Sequence, residues 1–262
     1  MAITAKERVQ SQFGAAASAY VTSDIHSKGE SLGLLVSCVH PQPTWDVLDV
    51  ATGAGHTALA VAPHVRQVLA TDLTAAMLAS TAQLATTRGC LNLTTRTADA
   101  EALPFADATF DLVTCRLASH HFPAAATAFG EMARVLRPGG TFGFTDNVVV
   151  AEPEAARHYN EFERLRDPSH HEVVPLGRLI GLIEETGLMI DVVHRLQKEM
   201  EFQDWADRMR VSAADKDRLL DMARTLPAAL VPLLAPRWAD GTLYFTLWEA
   251  VIVARKPAVR NP

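Results

Sequence analysis

The sequence predicts an α/β protein with a mostly parallel sheet covered by helices on both faces. Between about residues 45 and 146, short apolar segments alternate with helical segments, and this alternation is typical of parallel strands joined by helical crossovers. After residue 150 the alternation stops, and two more apolar segments follow at 188–193 and 243–254. We interpret these two as an antiparallel pair at one sheet edge, which gives seven strands with an antiparallel last strand.

The individual elements follow from periodicity and from helix-ending residues. Val9, Phe13, Ala16 and Tyr20 share one face of an N-terminal helix, and a second helix is expected over 27–39. The first five strands are expected at 45–50, 65–71, 93–98, 110–115 and 141–146. Helices are expected at 57–62, 74–87, 124–136, 152–166 and 178–185, with a helical stretch at 203–235. We divide the chain into an N-terminal helical lid (1–40), a core (41–150), and a helical cap with the last two strands (151–262), which belongs to the same domain as the core.

Composition excludes several classes of partner and compartment. The formal net charge of −6 disfavours nucleic acid, because a phosphate backbone requires a basic face. No window is long and apolar enough for a membrane span, and the mixed charges of the first ten residues do not fit a signal peptide. The odd number of cysteines, three in all, predicts reduced thiols and a cytoplasmic protein.

A glycine loop after the first strand predicts that the core binds an adenosine cofactor. Gly53 and Gly55 lie between a strand and a helix, where glycine permits a tight turn and a close ligand. Asp72 ends the next strand, where an acidic residue binds ribose hydroxyls. These features fit a nicotinamide dinucleotide as well as S-adenosylmethionine (SAM). Asp49 favours SAM, because a carboxylate about 4 Å from a pyrophosphate would cost on the order of 4 kcal/mol, whereas SAM carries a sulfonium and an ammonium.

The third and later strands continue the pattern. Asp99 follows the third strand, where a carboxylate can accept the adenine amino hydrogen, and apolar neighbours at 103–105 can enclose the ring. Five segments then occur in order: VLDVATGAG (47–55), ATDLT (70–74) with Met77, ADAEALPF (98–105), FDLVT (110–114) and RVLRPGG (134–140). Together they resemble the motifs of the class I SAM-dependent methyltransferases. The subgroup is similar to the type 11 methyltransferase domain of ubiquinone and menaquinone biosynthesis. The first glycine of the family's first motif is replaced here by Ala51, which narrows the pocket slightly.

The resemblance implies a Rossmann-like core with SAM as cofactor and S-adenosylhomocysteine (SAH) as product. It implies that the methionine end of SAM lies near Asp49, Ala51, Gly53 and Gly55. The ribose would contact Asp72 and Leu73 beside Met77, and the adenine would contact Asp99 and Ala100. Arg116 and Leu117 would form the floor of the cofactor pocket. Tyr20, and also His26, would face the methionine end from the lid.

Histidines supply the candidates for acceptor chemistry. His120 and His121 follow the fourth strand, at the edge of the sheet where ligands bind, and His170 and His171 form a second pair in the cap. A histidine near neutral pKa can remove a proton from an acceptor, so His120, His121 and His171 are the candidate catalytic residues, although each can instead orient a loop. A metal held by these histidines and Asp146 is not expected.

The sequence therefore predicts SAM-dependent methyl transfer to a small molecule, with an apolar or aromatic acceptor enclosed by lid and cap. Trp205, Met209 and Trp238 are candidates for lining an apolar cavity or packing in the core. One alternative is a SAM-binding protein that acts as a scaffold without catalysis. A second is a nicotinamide-dependent oxidoreductase, which Asp49 and the later motifs disfavour. A homodimer remains an open alternative to the monomer.

Overall fold

The fold is built on one sheet, seen in a computed structural model that describes residues 3–21 and 29–258. The strands are β1 (Asp46–Val50), β2 (Gln67–Asp72), β3 (Leu93–Thr97), β4 (Phe110–Arg116), β5 (Leu136–Asn147), β6 (Met189–Glu201), β7 (Arg237–Ala239) and β8 (Thr242–Arg255). The helices are α1 (Ala5–Val21), α2 (Glu30–Val39), α3 (His56–Val61), α4 (Ala75–Thr87), α5 (Ala125–Val135), α6 (Pro153–Arg166), α7 (Leu176–Glu184), α8 (Phe202–Asp207), α9 (Ala213–Arg224) and α10 (Val231–Leu234). Short 3₁₀ turns occur at Ala62–His64 and Ser119–His121.

The order of the strands confirms the predicted fold class. It is β3-β2-β1-β4-β5-β8-β6, and β8 runs antiparallel to both of its neighbours. All five residues of β1 are buried, as expected for a parallel strand covered on both faces. The three-residue β7 pairs with β8 and adds a short eighth strand to the seven predicted. Residues 137–140, just before the expected start of the fifth strand at 141, form an irregularity within β5 between the pairings of Leu136 and Thr141 with β4.

Helices cover both faces of the sheet with separate apolar clusters. On one face, Leu35 of α2, Ala58 of α3 and Ala85 of α4 belong to one buried cluster. On the other face, Phe129 of α5 and Leu179 of α7 belong to a second. Among the helices of the described ranges, none is long and apolar enough to cross a membrane.

A third apolar cluster lies in the cap, where the structure corrects two predicted elements. Phe162, Trp205 and Phe245 are packed there, contributed by α6, α8 and β8. The expected helical stretch at 203–235 is divided into three helices, because Ser212 caps the start of α9 through the Asp215 N–H and leaves a break before it. The expected sixth strand, 188–193, extends to Glu201 and pairs with β8 over its whole length. The division into lid, core and cap remains a prediction.

Close packing of α2 on β5 makes Gly143 intolerant of a side chain. A Cβ atom at this position would lie 2.6 Å from Val39 Cγ1 and 3.2 Å from Leu35 Cδ1. We expect Gly143→Ala to lower the free energy of unfolding by about 1–3 kcal/mol, the usual cost of overpacking a core.

Gly181→Ala is the matched control, since no atom lies within 4 Å of its added Cβ in α7. It should stabilise the protein by about 0.5–1 kcal/mol. Urea unfolding measures both variants, and equal stabilities would contradict the packing argument.

Candidate functional site

A deep cavity opens at the carboxyl ends of the parallel strands, where β1 and β4 separate the two halves of the sheet. The strand order reverses between these two strands, and such a reversal is where open α/β sheets bind ligands. The cavity is lined from the strand ends by Ala51, Asp72, Ala98, Arg116 and Asn147. Residues at the ends of all five strands β1 to β5 therefore line the same cavity.

The glycine loop is held in place by Asp72 and by α4. The Gly53 N–H and the Thr74 N–H each donate to the Asp72 carboxylate, at 2.9 and 2.8 Å. Gly53 lines the cavity. Gly55 does not: it has a φ of 83°, and a Cβ there would lie 2.6 Å from Thr81 Cγ2. Gly55 is therefore required for packing the loop on α4, while Gly53 and Asp72 are presented to the cavity. Burial raises the pKa of Asp72.

Asp49 lies behind the loop rather than in the cavity wall. Its side chain is buried, and it accepts hydrogen bonds from the hydroxyls of Thr52 and Thr114. Burial raises the pKa of Asp49 to about 6, although both hydroxyls partly offset that effect. Asp49 is not among the residues that line the cavity. Its influence on the cavity is therefore electrostatic and structural.

Two non-glycine residues adopt left-handed backbone conformations where the chain leaves β1 and β4. Ala51 has a φ of 52° and Leu117 a φ of 54°, a region that costs an L-residue free energy. Both residues line the cavity. The related motif has glycine at the position of Ala51. This position therefore requires both a positive φ and a small side chain. Such strained positions cluster at ligand sites.

Helix α1 lies across the cavity and touches it at three points. Lys6 Nζ is 2.6 Å from Asp99 Oδ2 and 2.6 Å from Glu101 Oε2. One turn later, Gln10 donates to the Leu73 carbonyl at 3.0 Å. Phe13 packs edge-on against His121, with ring centroids 5.0 Å apart. The helix therefore spans the cavity from the end of β3 to the histidines beyond β4.

His120, which is partly exposed, and the buried Asp146 form a pair at the opposite end of the cavity from Asp99. His120 Nδ1 lies 2.6 Å from Asp146 Oδ1, and the Ser119 hydroxyl donates to the other carboxylate oxygen at 2.6 Å. Burial lowers the pKa of His120, but the charge and hydrogen bond of Asp146 act together with the charges of Glu163 and Asp167 and raise that pKa above the ordinary value. Burial raises the pKa of Asp146, but His120 and Ser119 bring it down to about 2. Since Nδ1 is held by the carboxylate, Nε2 is the nitrogen that His120 can offer to a ligand.

Two histidines beside this pair, His121 and His170, have lowered pKa values and are therefore neutral near pH 7. Burial and the positive charge of His120 lower the pKa of His121 to about 4, and its Nδ1 lies 3.1 Å from the Ser169 carbonyl oxygen. Burial lowers the pKa of His170 to about 2, and its Nε2 lies 2.8 Å from Asn160 Oδ1. His170 lines the cavity, whereas the adjacent His171 is exposed and does not. The His171 N–H donates to the His120 carbonyl at 2.8 Å.

The far wall of the cavity comes from the cap and from the extended ends of β6 and β8. It combines apolar and charged side chains: Met200, Trp205, Leu247, Glu163, Arg166, Lys198, Arg208 and Glu249. Of the three apolar candidates from the sequence, Trp205 lines the cavity, Met209 is buried beside it without lining it, and Trp238 is 42% exposed. The wall is therefore more polar than an apolar acceptor alone requires.

Comparison with known proteins identifies the family. A methyltransferase domain model matches residues 48–144. YcgJ of Bacillus subtilis, an uncharacterized methyltransferase, is 32% identical over 76% of this chain and 79% of its own length. The crystal structure of a Bacillus halodurans methyltransferase aligns with a TM-score of 0.84 and 35% identity, over 88% of this chain and 100% of that one. The protein is a class I SAM-dependent methyltransferase. The ubiquinone/menaquinone biosynthesis C-methyltransferase UbiE of Brucella anthropi is 29% identical over 62% of this chain and 61% of its own.

The methyltransferase brings most of the predicted cofactor residues to one cavity. The residues that line it are Ala51, Gly53, Asp72, Leu73, Met77, Asp99, Ala100, Arg116 and Leu117, together with the histidines His120 and His121. Asp49 and Gly55 support the loop from behind. The side chain of Tyr20 and the whole of His26 lie outside the described residues. Within the ranges that the structure describes, no group of three or more His, Cys, Asp or Glu side chains is arranged to hold a metal ion.

Several lining residues of the methyltransferase were not predicted. Lys6, His170, Lys198, Arg208 and Glu249 belong to α1, the cap loop and the ends of the antiparallel strands. A signal for Lys198 existed, because Leu196, Lys198 and Met200 alternate with exposed residues in a strand period. That period was hidden because the outward positions Gln197 and Glu199 are polar as Lys198 is, and a polar run is also typical of a solvated loop.

Proposed function

We propose that this methyltransferase transfers a methyl group from SAM to a small-molecule acceptor, with His120 as the general base. The observation that carries the proposal is the arrangement of one cavity with two distinct ends. One end has the Asp72-organised loop and the carboxylate of Asp99, and the other has the His120–Asp146 pair. Such an arrangement can hold a donor and an acceptor in contact, which is the main requirement of a displacement reaction.

The residues at the loop end fit the cofactor that the family uses. Asp72 Oδ1 and Oδ2 each accept one backbone N–H, which leaves further lone pairs for ribose hydroxyls. Leu73 and Met77 supply apolar surface on one side of that position, and Ala98 and Ala100 supply it beside Asp99. The buried carboxylate of Asp49 lies behind the β1 end of the loop and favours a cation in front of it. These features support SAM placed with its adenine toward β3 and its sulfonium toward β4.

When bound, SAM supplies a methyl group already activated by the sulfonium. The chain contributes position and proton removal. His120 Nε2 would accept the proton from an acceptor hydroxyl, thiol or activated carbon, and Asp146 would stabilise the imidazolium that forms. Ser119 fixes the Asp146 carboxylate, which is itself buried. His121 and His170 remain neutral and shape the wall beside it.

The acceptor lies, on this proposal, over β4, β5, β8 and β6. Trp205, Met200 and Leu247 provide apolar contact surface there, which suits an acceptor with an apolar or aromatic body. Since α1 and the cap together cover the cavity, a small molecule fits this space better than a macromolecule. The relative UbiE is named as a C-methyltransferase of ubiquinone and menaquinone biosynthesis. We propose for this chain a small-molecule acceptor as well, without specifying which type of atom is methylated.

Isothermal titration and methyl transfer together test the proposal. Wild-type protein should bind SAH and SAM, and it should transfer a radiolabelled methyl group from SAM to at least one member of a panel of phenols, quinols, thiols and amines. Tight binding of SAH without transfer to any member would instead support the alternative of a SAM-binding scaffold. Absence of SAH binding would reject the cofactor placement.

A further inference from the structure

Three cationic side chains from separate elements line the cavity. Arg116 leaves the end of β4, Lys198 lies on β6, and Arg208 follows α8, yet all three line the same cavity. Glu249 of β8 belongs to this wall, and its Oε1 lies 3.1 Å from Lys198 Nζ. We call Arg116, Lys198, Arg208 and Glu249 the cationic wall. The cationic wall thus carries three positive charges and one negative charge. Arg166 and Glu163, which also line the cavity, pair with each other at 3.5 Å and add one charge of each sign.

Lys198 lies within electrostatic range of both arginines. Burial lowers the pKa of Lys198, and the charges of Arg116 and Arg208 lower it further against the opposing effect of Glu249. Burial also lowers the pKa of Arg116. Repulsion between like charges is strong where water is excluded, so these groups gain most from an anion that enters the cavity between them. Arginine and lysine are also the side chains that bind carboxylate and phosphate oxygens.

A buried hydrogen-bond donor beside the cationic wall indicates an acceptor oxygen as well. Trp205 lines the cavity, and its side chain is 1% exposed. Its indole Nε1–H has no hydrogen-bond partner within the described part of the chain. Buried donors are nearly always satisfied, and a ligand is one of the ways in which an exception is explained. A ligand oxygen at this end of the cavity would satisfy the indole and the cations together.

We propose that the acceptor carries an anionic oxygen group, a carboxylate or a phosphate, that binds at the cationic wall between Lys198, Arg208 and Arg116. This inference rests on the proposed function, because it assigns SAM to the strands β1 to β3 and the acceptor to the other half of the sheet. The apolar body of the acceptor then lies against Met200 and Leu247, and its methylated atom lies toward His120. The acceptor is therefore amphipathic rather than wholly apolar.

The carboxylate of SAM itself must be distinguished from an anion on the acceptor. Arg116 stands at the end of β4, next to the β1 loop where the methionine end of the cofactor is placed. Lys198 and Arg208 belong to β6 and to the segment after α8, on the far side of β5 and β8. Lys198 is therefore the residue whose replacement separates the two anions.

The test uses matched pairs of probes on the SAH-saturated protein. Benzoate is paired with benzamide, and phenyl phosphate with phenol, and binding is measured by isothermal titration. We expect the wild type to bind at least one anionic probe about tenfold or more tightly than its neutral partner. Whichever pair shows the difference identifies carboxylate or phosphate. Inorganic phosphate serves as a competitor that carries the anion without the ring.

Variants then assign the preference to the cationic wall. Lys198→Met should abolish the preference and leave SAH affinity unchanged, and Lys198→Arg should retain it. The double variant Lys198→Met/Glu249→Gln removes both charges of the pair, so no unpaired buried carboxylate can account for the loss. Lys216→Met is the matched control, since Lys216 pairs with Asp207 at 2.5 Å outside the cavity.

Three results would overturn the proposal while leaving the methyltransferase assignment intact. These are equal binding of charged and neutral probes, binding of none of them, or a preference that survives Lys198→Met. A parallel loss of SAH affinity in Lys198→Met would assign Lys198 to the cofactor's own carboxylate and would also overturn it. Failure of the wild type to bind SAH would instead reject the proposed function itself.

Discussion

Replacing His120 with glutamine is expected to lower kcat for methyl transfer by about 10²- to 10⁴-fold, the usual contribution of a general base. The affinity for SAH should change little, because His120 lies at the opposite end of the cavity from Asp72 and Asp99. The sequence alone left His120, His121 and His171 as candidates for this role. The structure favours His120, because His121 has a pKa of about 4 and lies against Ser169, whereas Asp146 orients His120. His171→Gln is the control, since that side chain is exposed beside the same loop.

The pH dependence of the reaction separates a base from a packing residue. His120 must be neutral to accept a proton, and Asp146 raises its pKa above the ordinary value. Activity should therefore rise with pH through a pKa higher than that of a free histidine. Asp146→Asn removes the negative charge, lowers the pKa of His120, and should move the rising limb toward lower pH while the plateau falls. A profile that stays in place in this variant would show that the pair has no part in proton transfer.

Replacing Asp72 with alanine is expected to weaken SAM binding by about 1.5–3 kcal/mol, which corresponds to roughly 10- to 150-fold in Kd. The variant loses the proposed ribose acceptor, and it also releases the N–H groups of Gly53 and Thr74 that the carboxylate organises. Loss of these two hydrogen bonds disturbs the conformation of the glycine loop even in the absence of a ligand. The effect should therefore reach SAM and SAH alike.

Isothermal titration with SAH measures this change directly, and circular dichroism establishes that the variant is folded. Asp217→Ala, on the exposed surface of α9, is the control for removal of one negative charge. Unchanged affinity in Asp72→Ala would refute the ribose assignment. Loss of affinity confined to SAM would point to the methyl group or sulfonium rather than to the ribose.

The sheet could be predicted from the sequence because its signals are local. Each parallel strand is a short apolar run followed by a turn and a helix, so β1 to β5 and their order of appearance are evident from spacing. The same is true of Asp72 and Gly53, which occupy fixed places relative to the strand ends. The family resemblance extends these positions to Asp99 and Arg116. Each of these residues lies within a few positions of a strand end, and the apolar segments of the sequence indicate where those strands end.

The acceptor side of the cavity could not be predicted in the same way. Lys198 and Glu249 meet because β8 inserts between β5 and β6, and β8 continues past the end of β5 to form this wall with Arg208. That pairing joins residues about 50 positions apart, and no local pattern encodes it. His170 rather than His171 enters the cavity because Asp167 and Asn160 fix the loop, with hydrogen bonds to Ser169 and His170. Neighbouring identical residues cannot be distinguished without that three-dimensional context.

The contacts of α1 have a consequence for the timing of the reaction. Lys6 is paired with the carboxylates beside the proposed adenine position, and Phe13 of the same helix packs on His121. On the proposed placement of SAM, the cofactor cannot be exchanged while all these contacts persist. The residence time of SAH would then be governed by how often α1 detaches. Because Lys6 is partly exposed and its ion pairs are screened by salt, higher ionic strength should shorten that residence time and, where release limits turnover, accelerate the enzyme.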